Sequence, residues 1–569
     1  MNTRIVRTSI RGTLAFALML ASGPGPAVLA SAANVTFSQS ATTVEAYDFV
    51  EVTLNVASPD AKNPFTEVTV QAQFGKTGDG QRRSVDGFCD STDGSVFRVR
   101  FMPPTPGEYT YSVTLRQGTF EANHQGSFRA VDGHRRGLVR VDPQYPWHFI
   151  WEGTGEHYFF NGTTAFWLMG WREDRIINFC IERLHRLKIN RMRVLLAGSA
   201  NINWGEAVMT GDNFSVSLRP WIAQSPESWE HPGIDYTRFN VPYWQKWDRM
   251  LRVARERDMI ISVIQDISTH QAQPAAGSDD ERRYLRYMVA RLAAFSNITY
   301  DLGDDLDSFR DEKWAHETGT LIESWDPYKH LATSHPVHRE NQDRASEWFG
   351  FTSIQNWSRQ QHALMLEERE IQKKSGRIIP QTNEEYGYED HYPHWAPAPP
   401  GDSAETLRQV AWDIAMAGAY GTAGESARRG TNIWPDTGGG WINGRGDDSM
   451  VMLKGYEHIV DFFTSFEWWK TEPHDELVTK GAYCLAKPGE IYAVYLPIRP
   501  LCGNREHFGY QQACGDVSIK LEPGNYEAKW FSALSGEFIA LPPVHGPFWT
   551  LPRPPGWMDW ALLLKRTGK

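Results

Sequence analysis

At 569 residues the chain is too long for one ordinary domain. It is 41% hydrophobic, has 23 Trp, and carries a formal net charge of −11. That balance, with no basic stripe, excludes polyanionic nucleic acid as a partner, because binding phosphates needs clustered Lys and Arg.

The N-terminus places Arg4, Arg7 and Arg11 before the apolar run Thr13–Ala21, and small residues follow up to Ala33. A charged region, a short apolar region and a small-residue site predict a signal peptide over 1–32, cleaved near 30–33. The apolar run is too short to span a bilayer as a mature helix, and no other stretch is long and apolar enough. The expected location is therefore secreted or periplasmic, with no membrane partner after cleavage. Export permits disulfides. Of the five cysteines, Cys502 and Cys514 are close enough to staple one loop, and the odd count leaves a thiol unpaired. Their spacing is no metal signature, so neither a zinc site nor a cofactor is expected.

Residues 34–131 alternate in short runs, Val50–Val56, Val96–Phe101 and Tyr109–Val113, separated by Gly, Pro and Asp turns. This predicts an antiparallel β-sandwich. From about 140 to 470, short apolar runs alternate with amphipathic helical stretches such as Phe179–Leu187, Trp244–Arg257, Leu285–Phe295 and Leu407–Ala417. About eight such repeats predict a parallel sheet closed as a (β/α)8 barrel. From 475 to 569, strands at Ala482–Ala486, Ile491–Leu496, Tyr526–Phe531 and Trp560–Lys565 predict a second small sandwich. The fold class is α/β, a TIM barrel flanked by two antiparallel sandwiches.

A barrel enzyme carries its reactive groups at the C-terminal ends of its strands. Two segments put paired carboxylates there. Asn297–Leu302 runs into Gly303, Asp304 and Asp305. Adjacent carboxylates compete for protons, and a raised pKa is what a general acid needs. Ile378–Gln381 runs into Asn383, Glu384 and Glu385, with Tyr386 and Tyr388 close enough in sequence to hydrogen-bond a carboxylate and aim it as a nucleophile. Two carboxylates on different strands between aromatic walls are the requirement for glycosidic cleavage. Arg193, His335, Gln355, Asn356, Trp357 and Trp167 also follow strands, and Trp434 and Trp441 lie in a Gly-rich loop after the last. These are the candidate lining of a sugar site. No Walker loop, dinucleotide fingerprint or HExxH occurs, and Gly424-Glu-Ser-Ala-Arg428 lacks the second Gly of a nucleophile elbow.

The stretches Thr43-Val-Glu-Ala-Tyr-Asp, Gly87-Phe-Cys-Asp and Val99-Arg-Phe-Met-Pro resemble the N-terminal domain called DUF5060. Asn161-Gly-Thr-Thr-Ala-Phe-Trp, Asn190-Arg-Met-Arg-Val, Leu302-Gly-Asp-Asp, Ser334-His-Pro and Asn383-Glu-Glu-Tyr-Gly-Tyr-Glu resemble the apiosidase-like (DUF4038) barrel, related to clan A glycoside hydrolases. Tyr492-Ala-Val-Tyr-Leu-Pro and Trp530-Phe-Ser-Ala-Leu-Ser-Gly are similar to a small collagen-binding-type sandwich found in such proteins. The resemblance implies an exported, retaining glycoside hydrolase of a plant, algal or microbial polysaccharide or its oligosaccharides. It implies Asp305 as acid/base and Glu385 as nucleophile. The competing reading is a glycan-binding, adhesive barrel without catalysis, and carboxylate pairs at both strand ends argue against it.

Overall fold

A computed structural model describes residues 35–197, 210–211, 214–215, 219–226, 228, 231–265, 273–389, 403–425, 440–446, 452–497, 516–556 and 558–568. The predicted signal peptide, Cys502 and Cys514 lie outside them. Cys89, Cys180 and Cys484 are free and buried.

The N-terminal strands form a four-stranded and a five-stranded sheet. Pairing is antiparallel except where Thr43–Glu45 runs parallel to Phe120–Val131. The strand Val50–Val56 shows how composition makes the layer. Val50, Val52, Leu54 and Val56 are buried, while Glu51, Thr53 and Asn55 face outward.

Eight parallel strands follow: β1 Gly162–Thr164, β2 Arg191–Leu195, β3 Ile260–Ile264, β4 Ile298–Asp304, β5 Ala332–His335, β6 Ile354–Gln355, β7 Thr382–Glu385 and β8 Tyr420–Ala423. They pair in the order β5-β4-β3-β2-β1-β8-β7-β6. The remaining seam is bridged by Ala332 opposite Phe349, and Gly350 N–H donates to Ala332 O at 2.7 Å. The sheet is thus a nearly closed barrel.

Helices between the strands turn one apolar stripe inward. In α1 (Asp174–Arg186), Ile177, Cys180, Ile181 and Leu184 are buried at the i, i+3, i+4, i+7 spacing. Helix α2 is Val241–Arg255 and α3 is Asp279–Leu292. Ser278 caps α3 by accepting from Glu281 N at 3.1 Å, and the Glu281 carboxylate reaches back to Gly277 N at 2.6 Å.

The C-terminal domain is a seven-stranded antiparallel sheet covered by the pair Ser518–Lys520 and Phe548–Thr550. Its two faces belong to different cores. Ala493, Tyr495, Phe531 and Leu563 join the core that runs on through the barrel into the N-terminal sandwich. Tyr492, Val494, Trp530 and Leu562 form a separate one. Each such large side chain removed from water contributes about 1.5–3 kcal/mol.

Buried ion pairs fix the domains to each other. Arg100 of the N-terminal sandwich donates to both oxygens of Asp248 on α2, at 2.9 and 2.7 Å, and Arg291 of α3 donates to the same carboxylate. On the other side Arg408 donates to Asp559 at 2.6 Å, and Tyr495 to the same carboxylate at 3.0 Å.

Candidate active site

Strand β2 reads Arg-Met-Arg, and the period of two sends Arg191 and Arg193 to the same side of the sheet. Both are fully buried. Arg191 donates to Glu384 Oε1 at 2.7 Å, to Thr299 Oγ1 at 2.7 Å and to Ser262 Oγ at 3.0 Å. Arg193 donates to Asp304 Oδ1 at 2.7 Å and to the Glu384 carbonyl at 3.2 Å. It lies 3.4 Å from the Glu384 carboxylate and 3.8 Å from those of Asp301 and Glu385. Its guanidinium is held charged by the carboxylates despite burial, and it sits 5.5 Å over the Phe166 ring.

Strand β4 ends irregularly. Its register against β5 shifts between Asp301 and Asp304, which brings Asp304 opposite His335. Asp305 then takes a left-handed conformation, φ 52° and ψ 38°, and starts the 3-10 turn Leu306–Ser308. A non-glycine residue held there stores about 1–3 kcal/mol of strain. Asp tolerates it better than most residues. The result is that the two adjacent carboxyls have different surroundings. Asp304 is buried on Arg193. Asp305 is partly exposed, and its acid is pushed up to about 8 by burial, then by Asp304 and Glu385.

Glu385 ends β7, where it is the register partner of Gln355 on β6. Gln355 Nε2 donates to its Oε1 at 3.1 Å, and His335 Nε2 lies 3.3 Å from Oε2. Burial raises its pKa, while Arg193 and hydrogen bonds from Tyr388, Gln355 and Trp357 pull the other way. Ser353 Oγ fixes the other ring nitrogen of His335 at 2.8 Å. Burial and Arg193 hold that imidazole down to about 3, so it is neutral at physiological pH.

The structure therefore brings Arg193, Asp304, Asp305, His335, Gln355, Trp357, Glu385 and Tyr388 to one mouth of the barrel. The Trp357 and Tyr388 rings meet edge to face at 5.4 Å. Trp167 is buried in the turn after β1, beside Phe166. Two expected lining residues differ. Tyr386 is turned away, because its side chain packs against Gly421 of β8, where an added Cβ would lie 2.8 Å from the ring. Asn356 acts through its backbone: its N–H donates to Glu385 O at 3.2 Å, its carbonyl accepts from Asn383, and its side chain closes a turn on Ser358 N. Trp434 lies outside the described residues, and Trp441 sits in the short helix Gly440–Asn443.

Glu384, read in the sequence only as the pair-mate of Glu385, completes the charged layer under the mouth with Arg191 and Asp301, to which sequence reasoning assigned no site role. The Arg-x-Arg spacing of β2 was the available signal. Asp301 is fully buried, and burial pushes its acid up to about 8 against the pull of Arg193.

Asp304, His335 and Glu385 each bring one ligand atom within 4.8 Å of the others. One nitrogen and two carboxylate oxygens form a donor set that a divalent cation accepts. The Asp304 oxygen also takes the Arg193 hydrogen bond, so such a cation would sit beside a guanidinium.

A parallel barrel with two carboxyl pairs, Asp304/Asp305 and Glu384/Glu385, at one mouth has the arrangement that carboxylate-dependent barrel hydrolases use. Residues 197–425, which contain both pairs, match the family model described as the apiosidase-like catalytic domain, and residues 43–116 match DUF5060, a domain of unknown function. The matched part of the barrel is thus similar to an apiosidase-like catalytic domain, and this similarity supports a glycosidase. A protein from Bacteroides vulgatus assigned to the glycoside hydrolases shares the fold with a TM-score of 0.71 at 17% identity, covering 93% of this chain and 100% of its own. A glycoside hydrolase family 5 protein, also from Bacteroides vulgatus, gives 0.57 at 15% identity, covering 76% and 93%. No curated protein sequence matches the chain.

Proposed function

We propose that the protein is an exported, retaining glycoside hydrolase of a plant, algal or microbial polysaccharide or its oligosaccharides, with Asp305 as acid/base and Glu385 as nucleophile. The observation that carries this reading is the unequal setting of the two carboxyls. Glu385 is aimed by Gln355 and flanked by Arg193, His335 and Tyr388. A carboxylate so held is suited to attack an anomeric carbon. Asp305 stays protonated to about pH 8 and is partly exposed, which suits a proton donor to a glycosidic oxygen.

In the first step Asp305 gives its proton to the leaving oxygen as Glu385 bonds to the anomeric carbon. In the second, Asp305, now ionised, takes a proton from water, whose oxygen displaces Glu385 and frees the sugar. Arg193 and Asp304 keep Glu385 and the base of the cleft fixed. Trp357 and Tyr388 offer ring surface to a pyranose face.

The test is sugar release from a panel of polysaccharides and aryl glycosides. Glu385→Gln and Asp305→Asn should each lower kcat by about 10²–10⁴-fold while the fold, by circular dichroism, is kept. Near-normal rates in both variants would remove the assignment. Because the acid must be protonated, activity should fall as pH rises through about 8, and Asp305→Asn should abolish that limb.

A further inference from the structure

The turn that carries Asp305 is fastened from outside the site by one carboxylate. Asp307 Oδ1 accepts from Val337 N at 2.6 Å. Its Oδ2 accepts from His338 N at 3.1 Å and Asn341 Nδ2 at 2.8 Å, with His338 Nδ1 also at 2.8 Å. These partners lie in the segment after β5, and Val337 is two residues past His335, which touches Glu385. On its own side the turn closes on Asp305, whose carbonyl accepts from Ser308 N at 2.9 Å and Ser308 Oγ at 2.7 Å. One side chain thus ties the acid's loop to the loop that buttresses the nucleophile, and it holds a left-handed non-glycine residue in place.

We infer that Asp307 is a positioning residue for the general acid, fixing the Asp305 carboxyl relative to Glu385. This rests on the reading of Asp305 as the acid. The groups facing Asp305 are Asp304, Glu385, Arg193 and Asp307, and the Asp307 charge acts to raise the Asp305 pKa. Asp307 itself faces His338 and the Asn341 amide, and these hydrogen bonds hold its carboxyl below the usual carboxylate range.

A residue acting through the acid matters most when the leaving group needs a proton. Asp307→Asn removes the charge and turns two donors toward each other. Asn341→Ala withdraws one donor and leaves the charge, and it serves if Asp307→Asn is poorly folded. The measurement is kcat on phenyl and para-nitrophenyl glycosides of the sugar that wild type releases. Asp307→Asn should lose about 10-fold more on the phenyl than on the nitrophenyl substrate. Asn341→Ala should show the same leaving-group preference with a smaller loss. Equal losses on both substrates in both variants would overturn the inference. Full phenyl-glycoside activity in Asp305→Asn would instead overturn the assignment of the acid.

Discussion

Arg193 meets four carboxylates and Arg191 a fifth contact on Glu384, so acidic groups outnumber cations under the barrel mouth. The excess is accommodated by protonation, and Asp301 is the deepest group so affected. Its acid stands at about 8 in the fold against roughly 3.9 in an unfolded chain. Below the unfolded value both states are protonated and Asp301 costs nothing. As pH rises from about 4 to about 8 the unfolded state ionises first, so stability falls across that window. Asp301→Asn should therefore raise the melting temperature at neutral pH and flatten its decline between pH 4 and 8. An unchanged pH profile of melting would show that Asp301 is ionised in the native state. The Arg191–Glu384 pair behaves oppositely. Glu384→Ala should destabilise by about 3–5 kcal/mol in denaturant titration, because it leaves a buried guanidinium without its carboxylate.

Among the elements, the apolar strands were the readable ones. Ile260–Ile264 and Ile298–Leu302 stand out as hydrophobic runs because parallel strands are buried on both faces. Strand β7 was not readable in this way. The run Ile378–Gln381 drew the reading, yet the strand is Thr382–Glu385, four polar residues all buried. Hydropathy fails there because the strand buries polar groups, satisfied by Thr352, Asn356 and Arg191 from other strands and loops. Helix starts were read late for a related reason: α3 begins at Asp279, six residues before Leu285, in an acidic first turn capped by Ser278. Acidic residues suit that end through the helix dipole. Ser278→Ala should cost about 1 kcal/mol by thermal unfolding. No loss would mean that the Glu281 contacts to Gly277, Arg310 and Trp314 hold the turn alone. The candidate site was legible where carboxylates were adjacent in sequence. It was not legible where direction mattered, as in Tyr386, which one residue's step along β7 sends to Gly421.

At the scale of the whole molecule, the sandwiches are welded to the barrel rather than tethered. The shared core and the Asp248 and Asp559 ion pairs make the junctions resemble domain interiors. Among the described residues no helix is long and apolar enough to cross a membrane. The barrel and both sandwiches should unfold in one calorimetric transition, and Asp248→Ala, which leaves Arg100 only Glu51 and Arg291 only Asp90 as ion-pair partners, should split or lower it. The flanking domains thus pack on the helices behind the strands, through Arg100 on α2 and Asp559 on Arg408. The most direct test of the central claim is covalent trapping. The protein would be incubated with a fluorinated glycoside of the sugar it releases, then digested and analysed by mass spectrometry. One sugar attached to the peptide bearing Glu385, and none in Glu385→Gln, is the predicted result. Turnover of the parent substrate with no adduct, or an adduct on another carboxylate, would contradict it.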